Sequence, residues 1–236
     1  MTTRVFRRHL EAAARYEVAR ARRDERLPNS SESWFEAHTG KRDVLVTAPH
    51  AMAAIRHGEM RPADPGSGWL AMSLQRMLDV HTVVTNRMSP SDPNFYDDNP
   101  FKQTVAEIIQ RNSPLFVLDL HTAKSDRPFH VDIGTMHGAS VLGDPTLVAE
   151  LVKCCANNGI SEFSDNFFPA IKNQTLTKWS SQLRVPCMQI EINVSWLKLG
   201  SSIIEDLRSA RVLQSLVDFI ELRAPIDPSP MQRGQP

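Results

Sequence analysis

The apolar positions of this 236-residue chain follow helical and strand-like spacings in turn. Residues 1–26 contain no Gly or Pro and place Phe6, Leu10, Ala13 and Ala14 at helical intervals, which predicts a peripheral N-terminal helix. A polar turn, Pro28-Asn29-Ser30-Ser31, follows it. The run VLVTAPH (44–50) is short, β-branched and halted by Pro49, so it predicts a buried strand opening into a loop. Gly58, Pro62, Pro65, Gly66 and Gly68 make the next stretch read as a loop. A helix over Trp69 to Leu78 and a strand at HTVVTNR (81–87) come after it.

Further along, Asn99-Pro100 offers a capping side chain and a first-turn proline, predicting a helix to about Gln110. FVLDLH (116–121) reads as a strand. A helix opens at Asp144-Pro145 and stops at Asn158-Gly159. A strand at CMQIEIN (187–193) precedes a last helix from about Ser202 to Leu222. Strands alternating with helices imply an α/β architecture, a mixed and mostly parallel sheet between helical layers. The expected organisation is a peripheral helix (1–26), one domain (27–224) and a proline-rich, disordered tail (225–236).

Ligands of open α/β sheets collect beyond the carboxyl ends of the strands. Three such places carry chemistry here. Pro49-His50 delivers an imidazole where the first run breaks. Asp119 and His121 share one face of FVLDLH, opposite Phe116, Leu118 and Leu120. Gln189, Glu191 and Asn193 share one face of MQIEIN, opposite Met188, Ile190 and Ile192. A buried carboxylate or imidazole is costly unless it is paired, hydrogen-bonded or metal-bound. Two histidines and a carboxylate with an open position form the set by which zinc activates water, and a further carboxylate can then act as base. Spacing alone leaves this reading beside a commoner one, in which each histidine is a hydrogen-bonded structural residue.

Four segments change that balance: TAPHAMAAIRHGEMRPADPGSG (47–68), DPNFYDDNPFKQ (92–103), FVLDLHTAKSDRPFHVDIGT (116–135) and VPCMQIEIN (185–193). In this order they resemble the N-formylglutamate amidohydrolase family, zinc-dependent hydrolases related in fold to metallocarboxypeptidases and aspartoacylase-type deacylases. The resemblance implies a three-layer α/β/α fold of the phosphorylase/hydrolase-like type. It implies that His50, Asp64 and His121 hold Zn²⁺ or another divalent ion, with Glu59 the competitor for the acidic position. Glu191 would be the general base and Arg127 the group that binds a substrate carboxylate or an oxyanion. Asp119 would stand behind a ligand, and Asp132, Asn193 and Lys102 would line the substrate pocket. The implied reaction is hydrolysis of an amide in a small N-acylated amino acid, the N-formyl compounds included, or a related amide. One departure bears on the substrate: many relatives follow Glu-Ile-Asn with an arginine, where this chain reads NVSWLKLG. A carboxypeptidase-like peptidase and a catalytically silent binding protein are the alternatives.

Charge and composition bound the rest. The chain has 27 basic and 27 acidic side chains, which gives no excess for a nucleic-acid partner. Residues 1–26 carry eight arginines against four acids, leaving 19 basic and 23 acidic side chains beyond them. That arginine-rich helix reads as a solvated face or a contact between subunits of a homo-oligomer. No apolar run is long enough for a membrane span, and the opening residues lack the apolar stretch of a secretory signal. Cys154, Cys155 and Cys187 form no disulfide or zinc pattern, and a cytoplasmic protein acting on a small molecule or short peptide is expected.

Overall fold

The computed structural model describes residues 3–21, 26–29 and 31–226. Its centre is a seven-stranded mixed sheet of order β1-β5-β2-β6-β9-β7-β8. The strands are β1 (Phe35–His38), β2 (Arg42–Ala48), β5 (Val80–Thr85), β6 (Phe116–Ala123), β7 (Val131–Gly134), β8 (Phe163–Asp165) and β9 (Cys187–Asn193). A separate hairpin pairs β3 (Ala54–Arg56) with β4 (Glu59–Arg61). The four central strands β5, β2, β6 and β9 are parallel, β1 and β7 are antiparallel to their inner neighbours, and β8 runs parallel to β7.

Helices cover both faces of the sheet. On one side lie α1 (Arg7–Ala21), α2 (Ser67–Leu78), α4 (Thr146–Asn157) and α6 (Ile203–Arg223), packed on Val44, Val46, Phe116, Leu118, Leu120, Met188 and Ile190. On the other, α3 (Pro100–Asn112) and α5 (Leu176–Gln182) bury Leu45, Val83, Val117 and Cys187. The period of two in β6 and β9 thus feeds two separate cores, as the sequence predicts. Asn99 caps α3 by accepting from Phe101 N, with Pro100 in the first turn. Asp144 accepts from Thr146 N at the start of α4, and Ser202 caps α6 through Glu205 N.

Several short elements depart from the sequence reading. Residues 54–61, expected as loop, form the β3–β4 hairpin. His57 (φ 53°) and Gly58 (φ 79°) supply the two left-handed residues that a tight two-residue turn needs. β1, β7, β8 and α5 were not anticipated. Three of them have only three or four residues, and α5 only seven, too few for a period to declare itself. The N-terminal helix is observed over Arg7–Ala21. Residues 22–25 of its expected span, and 227–236 of the expected tail, lie outside the described residues. Among the described residues no helix is long and apolar enough to cross a membrane.

Candidate metal centre

Register across the parallel strands assembles the site. Thr47 of β2 pairs with Asp119 of β6, Asp119 with Gln189 of β9, and His121 with Glu191. These side chains therefore emerge on one face, near the carboxyl ends of three adjacent strands. His50 follows β2 by two residues. Asp64 arrives from the loop behind the hairpin, fastened by its N–H to the His50 carbonyl at 2.7 Å.

His50, Asp64 and His121 are all buried, and one ligand atom from each lies within 4.8 Å of the others. Asp64 Oδ2 is 2.8 Å from His121 Nδ1 and 3.6 Å from His50 Nδ1. Each imidazole is held from its far nitrogen. His50 Nε2 meets Asp92 Oδ1 at 2.7 Å, and Arg56 donates to Asp92 Oδ2 through Nη2 at 2.6 Å and Nε at 3.0 Å. His121 Nε2 lies 3.2 Å from Asp119 Oδ2, while Asp119 Oδ1 accepts from Thr47 Oγ1 at 2.7 Å. Asn94 Nδ2 stands 2.9 Å from His121 Nε2, and its Oδ1 caps the Leu176 N–H at 2.8 Å. His50 Nδ1 is buried with no hydrogen-bond partner among the described residues.

The electrostatics fit a cation. Burial alone would raise the Asp64 carboxyl, but the hydrogen bond from His121, the adjacent His50 ring and Arg61 hold it well below the usual range. Asp92 is depressed too, with burial overcome by His50, Arg56 and the Asn94 N–H. Burial would lower His121, yet Asp119, Asp64 and Glu191 together hold it well above an ordinary imidazole. Glu191 is the opposite case: burial pushes its carboxyl up to about 7 against the pull of His121. Four carboxylates thus crowd two imidazoles. The unpaired His50 nitrogen, the imidazoles fixed from behind and the two-nitrogen, one-oxygen donor set all suit a divalent ion.

A cavity of about 250 Å³ opens on this cluster. His50, His121, Glu191, Gln189, Asn94, Arg56 and Arg61 form its inner wall; Phe168 to Ala170, with Lys172, Asn173 and Thr175, form the outer one. Gly134 lets that outer segment approach, since a Cβ there would lie 2.3 Å from the Phe168 carbonyl oxygen. A larger groove of about 740 Å³ between α1 and α6 contains none of these residues.

The sequence candidates divide. His50, Asp64, His121 and Glu191 converge, and Asp119 stands behind His121. Glu59 is exposed at the hairpin's outer end. The four expected substrate contacts are absent from the cavity wall. Arg127 lies over the Phe167 and Phe168 rings, 5.6 and 5.5 Å from their centroids. Asp132 is fully buried and accepts from Ser164 Oγ and the Phe167 and Phe168 N–H groups, so it shapes the wall from behind. Asn193 Nδ2 donates to the carbonyls of Ser125, Arg127 and Phe129. Lys102 is consumed by Asp97 and the Gln174 carbonyl. Asp92, Asn94, Arg56 and Arg61 were missed. The first two lie in DPNFYDD, whose alternation of polar groups and Pro was the available signal; the arginines sat in what read as loop.

No family model matches this chain, and no curated protein matches it. Its fold is that of N-formylglutamate amidohydrolase. The enzyme of that name from Ralstonia eutropha superposes with a TM-score of 0.58 at 12% identity, covering 81% of this chain and 99% of that one. A gene product of Agrobacterium tumefaciens gives 0.58 at 15% identity, over 80% and 95%.

Proposed function

We propose that this chain is a zinc-dependent amidohydrolase acting on a small N-acylated amino acid or related amide. The observation that carries the proposal is the buried His50-Asp64-His121 cluster, whose imidazoles turn Nδ1 toward one carboxylate oxygen beside the proton-binding Glu191. His50, Asp64 and His121 would hold the ion, with Asp64 rather than the exposed Glu59 as the acid. Zinc suits two nitrogens and an oxygen with an open position, although other divalent ions accept the same donors. When bound, such an ion supplies Lewis acidity, polarising a carbonyl and lowering the pKa of water toward about 7.

The chain's own groups do the rest. Asp92 and Asp119 fix the two rings, so neither turns as substrate enters. Gln189 Nε2 donates to Glu191 Oε1 at 3.0 Å, which leaves Oε2 to take the proton of attacking water and return it to the leaving nitrogen. Arg56 is spent on Asp92. Arg61, whose Nη1 makes only long contacts, 3.4 Å to Asp64 Oδ1 and 3.3 Å to the Pro62 carbonyl, is the cavity guanidinium with donors left to face an anionic substrate group or the developing oxyanion. It takes the place that the resemblance offered to Arg127. The cavity of about 250 Å³ has room for a small acyl amide beside the cluster.

The test is metal analysis of protein purified without chelator, followed by a panel of N-acyl amino acids and short peptides. Near-stoichiometric zinc and turnover of acyl amino acids support the reading. Peptide hydrolysis alone would replace it with a carboxypeptidase-like activity, and absence of both metal and turnover with a binding protein. Glu191→Gln is expected to keep zinc and lose kcat by several orders of magnitude, whereas His121→Ala loses the zinc.

A further inference from the structure

The last turn of α1 reaches the backs of both loops that carry the ion-facing groups. Much of this helix is polar, and among its described side chains Ala13 is the one fully buried hydrophobic residue. A helix of that kind would ordinarily be a loosely attached cover. Arg20 contradicts this: its side chain is only 7% exposed. Its Nη2 donates to Glu17 Oε1 at 2.6 Å, and its Nη1 lies 3.4 Å from Met52 Sδ. Glu17 Oε1 also faces the Gly66 N–H at 3.4 Å. Met52 follows His50 by two residues, and Gly66 follows Asp64 by two.

Chain geometry narrows the space around this contact. Gly66 (φ 95°) begins α2 with no side-chain cap from its own segment, so the Glu17 carboxylate is the anion placed at that helix's positive end. A Cβ at Gly68 would come within 3.2 Å of Arg20 Nη1. Arg20 Nε and Glu17 Oε2 are buried without hydrogen-bond partners among the described residues. As a source of stability such a pair is poor, because well-packed apolar residues often serve equally or better. Its two ends instead touch two chain segments that must keep a fixed separation.

We propose that Glu17 and Arg20 form a positioning clamp, holding the His50 and Asp64 loops at the spacing a divalent ion requires and making α1 part of the site's architecture. The clamp rests on the metal reading above. It is tested in the full chain with Arg20→Met, Glu17→Gln and the conservative Arg20→Lys, by amide hydrogen exchange of the metal-free protein and by zinc affinity from chelator competition. Arg20→Met and Glu17→Gln should each speed exchange at residues 50–53 and 66–68 selectively and weaken zinc by about tenfold. Arg20→Lys should recover most of both. Unchanged zinc affinity, or faster exchange confined to α1 or spread evenly over the sheet, overturns the clamp. If Arg20→Met does not fold, Glu17→Gln against Arg20→Lys supplies the same comparison. If the wild-type chain takes up no zinc, the hydrolase reading falls separately, and local exchange alone decides the clamp.

Discussion

The two imidazoles of the site are held in different ways. His121 sits within β6, and the carboxylate behind it, Asp119, lies two residues earlier on the same strand face. That arm is local, rigid and fully buried, with Thr47 of the neighbouring strand completing it. His50 sits on a turn past β2. Its carboxylate, Asp92, comes from a loop 42 residues away, and the arginine behind that carboxylate comes from the β3–β4 hairpin. This arm is assembled from three separate segments, and Arg56 remains 28% exposed. One site therefore joins a half set by sheet register to a half set by loop packing, and the two should fail differently.

The largest effect is expected on the rigid arm. Asp119→Ala leaves the Thr47 hydroxyl without its acceptor and removes the carboxylate behind His121 Nε2 in a fully buried place, and should cost about 3–5 kcal/mol of stability. Urea unfolding of the metal-free protein measures it. On the assembled arm Asp92→Asn keeps the shape but loses the charge that faces His50, so its main effect should be a zinc affinity lower by about 10–100-fold. Equal stability losses for the two variants would show that the arms do not differ as described. Arg56→Met removes a partly exposed partner of the same carboxylate. Solvent screening limits its effect on stability to about 1 kcal/mol or less.

Acidity sharpens the contrast further. Asp92 is depressed below the ordinary 3.8, so its stabilising share is present above that value and is lost as pH falls through its lower folded value. Glu191 is raised from 4.5 to about 7, so it favours the folded metal-free protein at low pH and loses that share as pH rises across this interval. Metal-free stability measured from pH 2 to 8 should show a shallower acid-side decline in Asp92→Asn, with the Asp64 share remaining, and a shallower decline between pH 4.5 and 7 in Glu191→Gln. The smallest effect concerns the thiols. Cys154, Cys155 and Cys187 are buried, and burial raises all three, Cys155 to about 12. A thiol reagent at pH 8 should label none in the native protein and all three in denaturant.

The same local and assembled division explains what could be read in advance. In FVLDLH and MQIEIN the period of two puts Asp119 with His121, and Gln189 with Glu191, on one face whatever surrounds them. His50 is marked by a strand that breaks at proline. Arg56 and Arg61 were hidden because a three-residue strand carries no measurable period, and the hairpin's identity rests on a His-Gly turn amid prolines. Asp132, Asn193 and Lys102 stand where polar residues near a site ought to line it, yet each spends its hydrogen bonds on backbone or loop groups and shapes the wall from behind.

By itself, then, the sequence determined the alternation of strands and helices, the two-sided strands and the groups at their carboxyl ends, because these depend on spacings of a few residues. Tertiary structure brought Asp64, already favoured over Glu59 by the resemblance, to the histidines, and it alone decided that Asp92 backs His50 and that Arg61 faces the cavity while Arg127 does not. Those outcomes depend on strand register and on loops converging from distant parts of the chain. The separations involved, such as 57 residues between Asp64 and His121, are fixed only when the whole sheet closes.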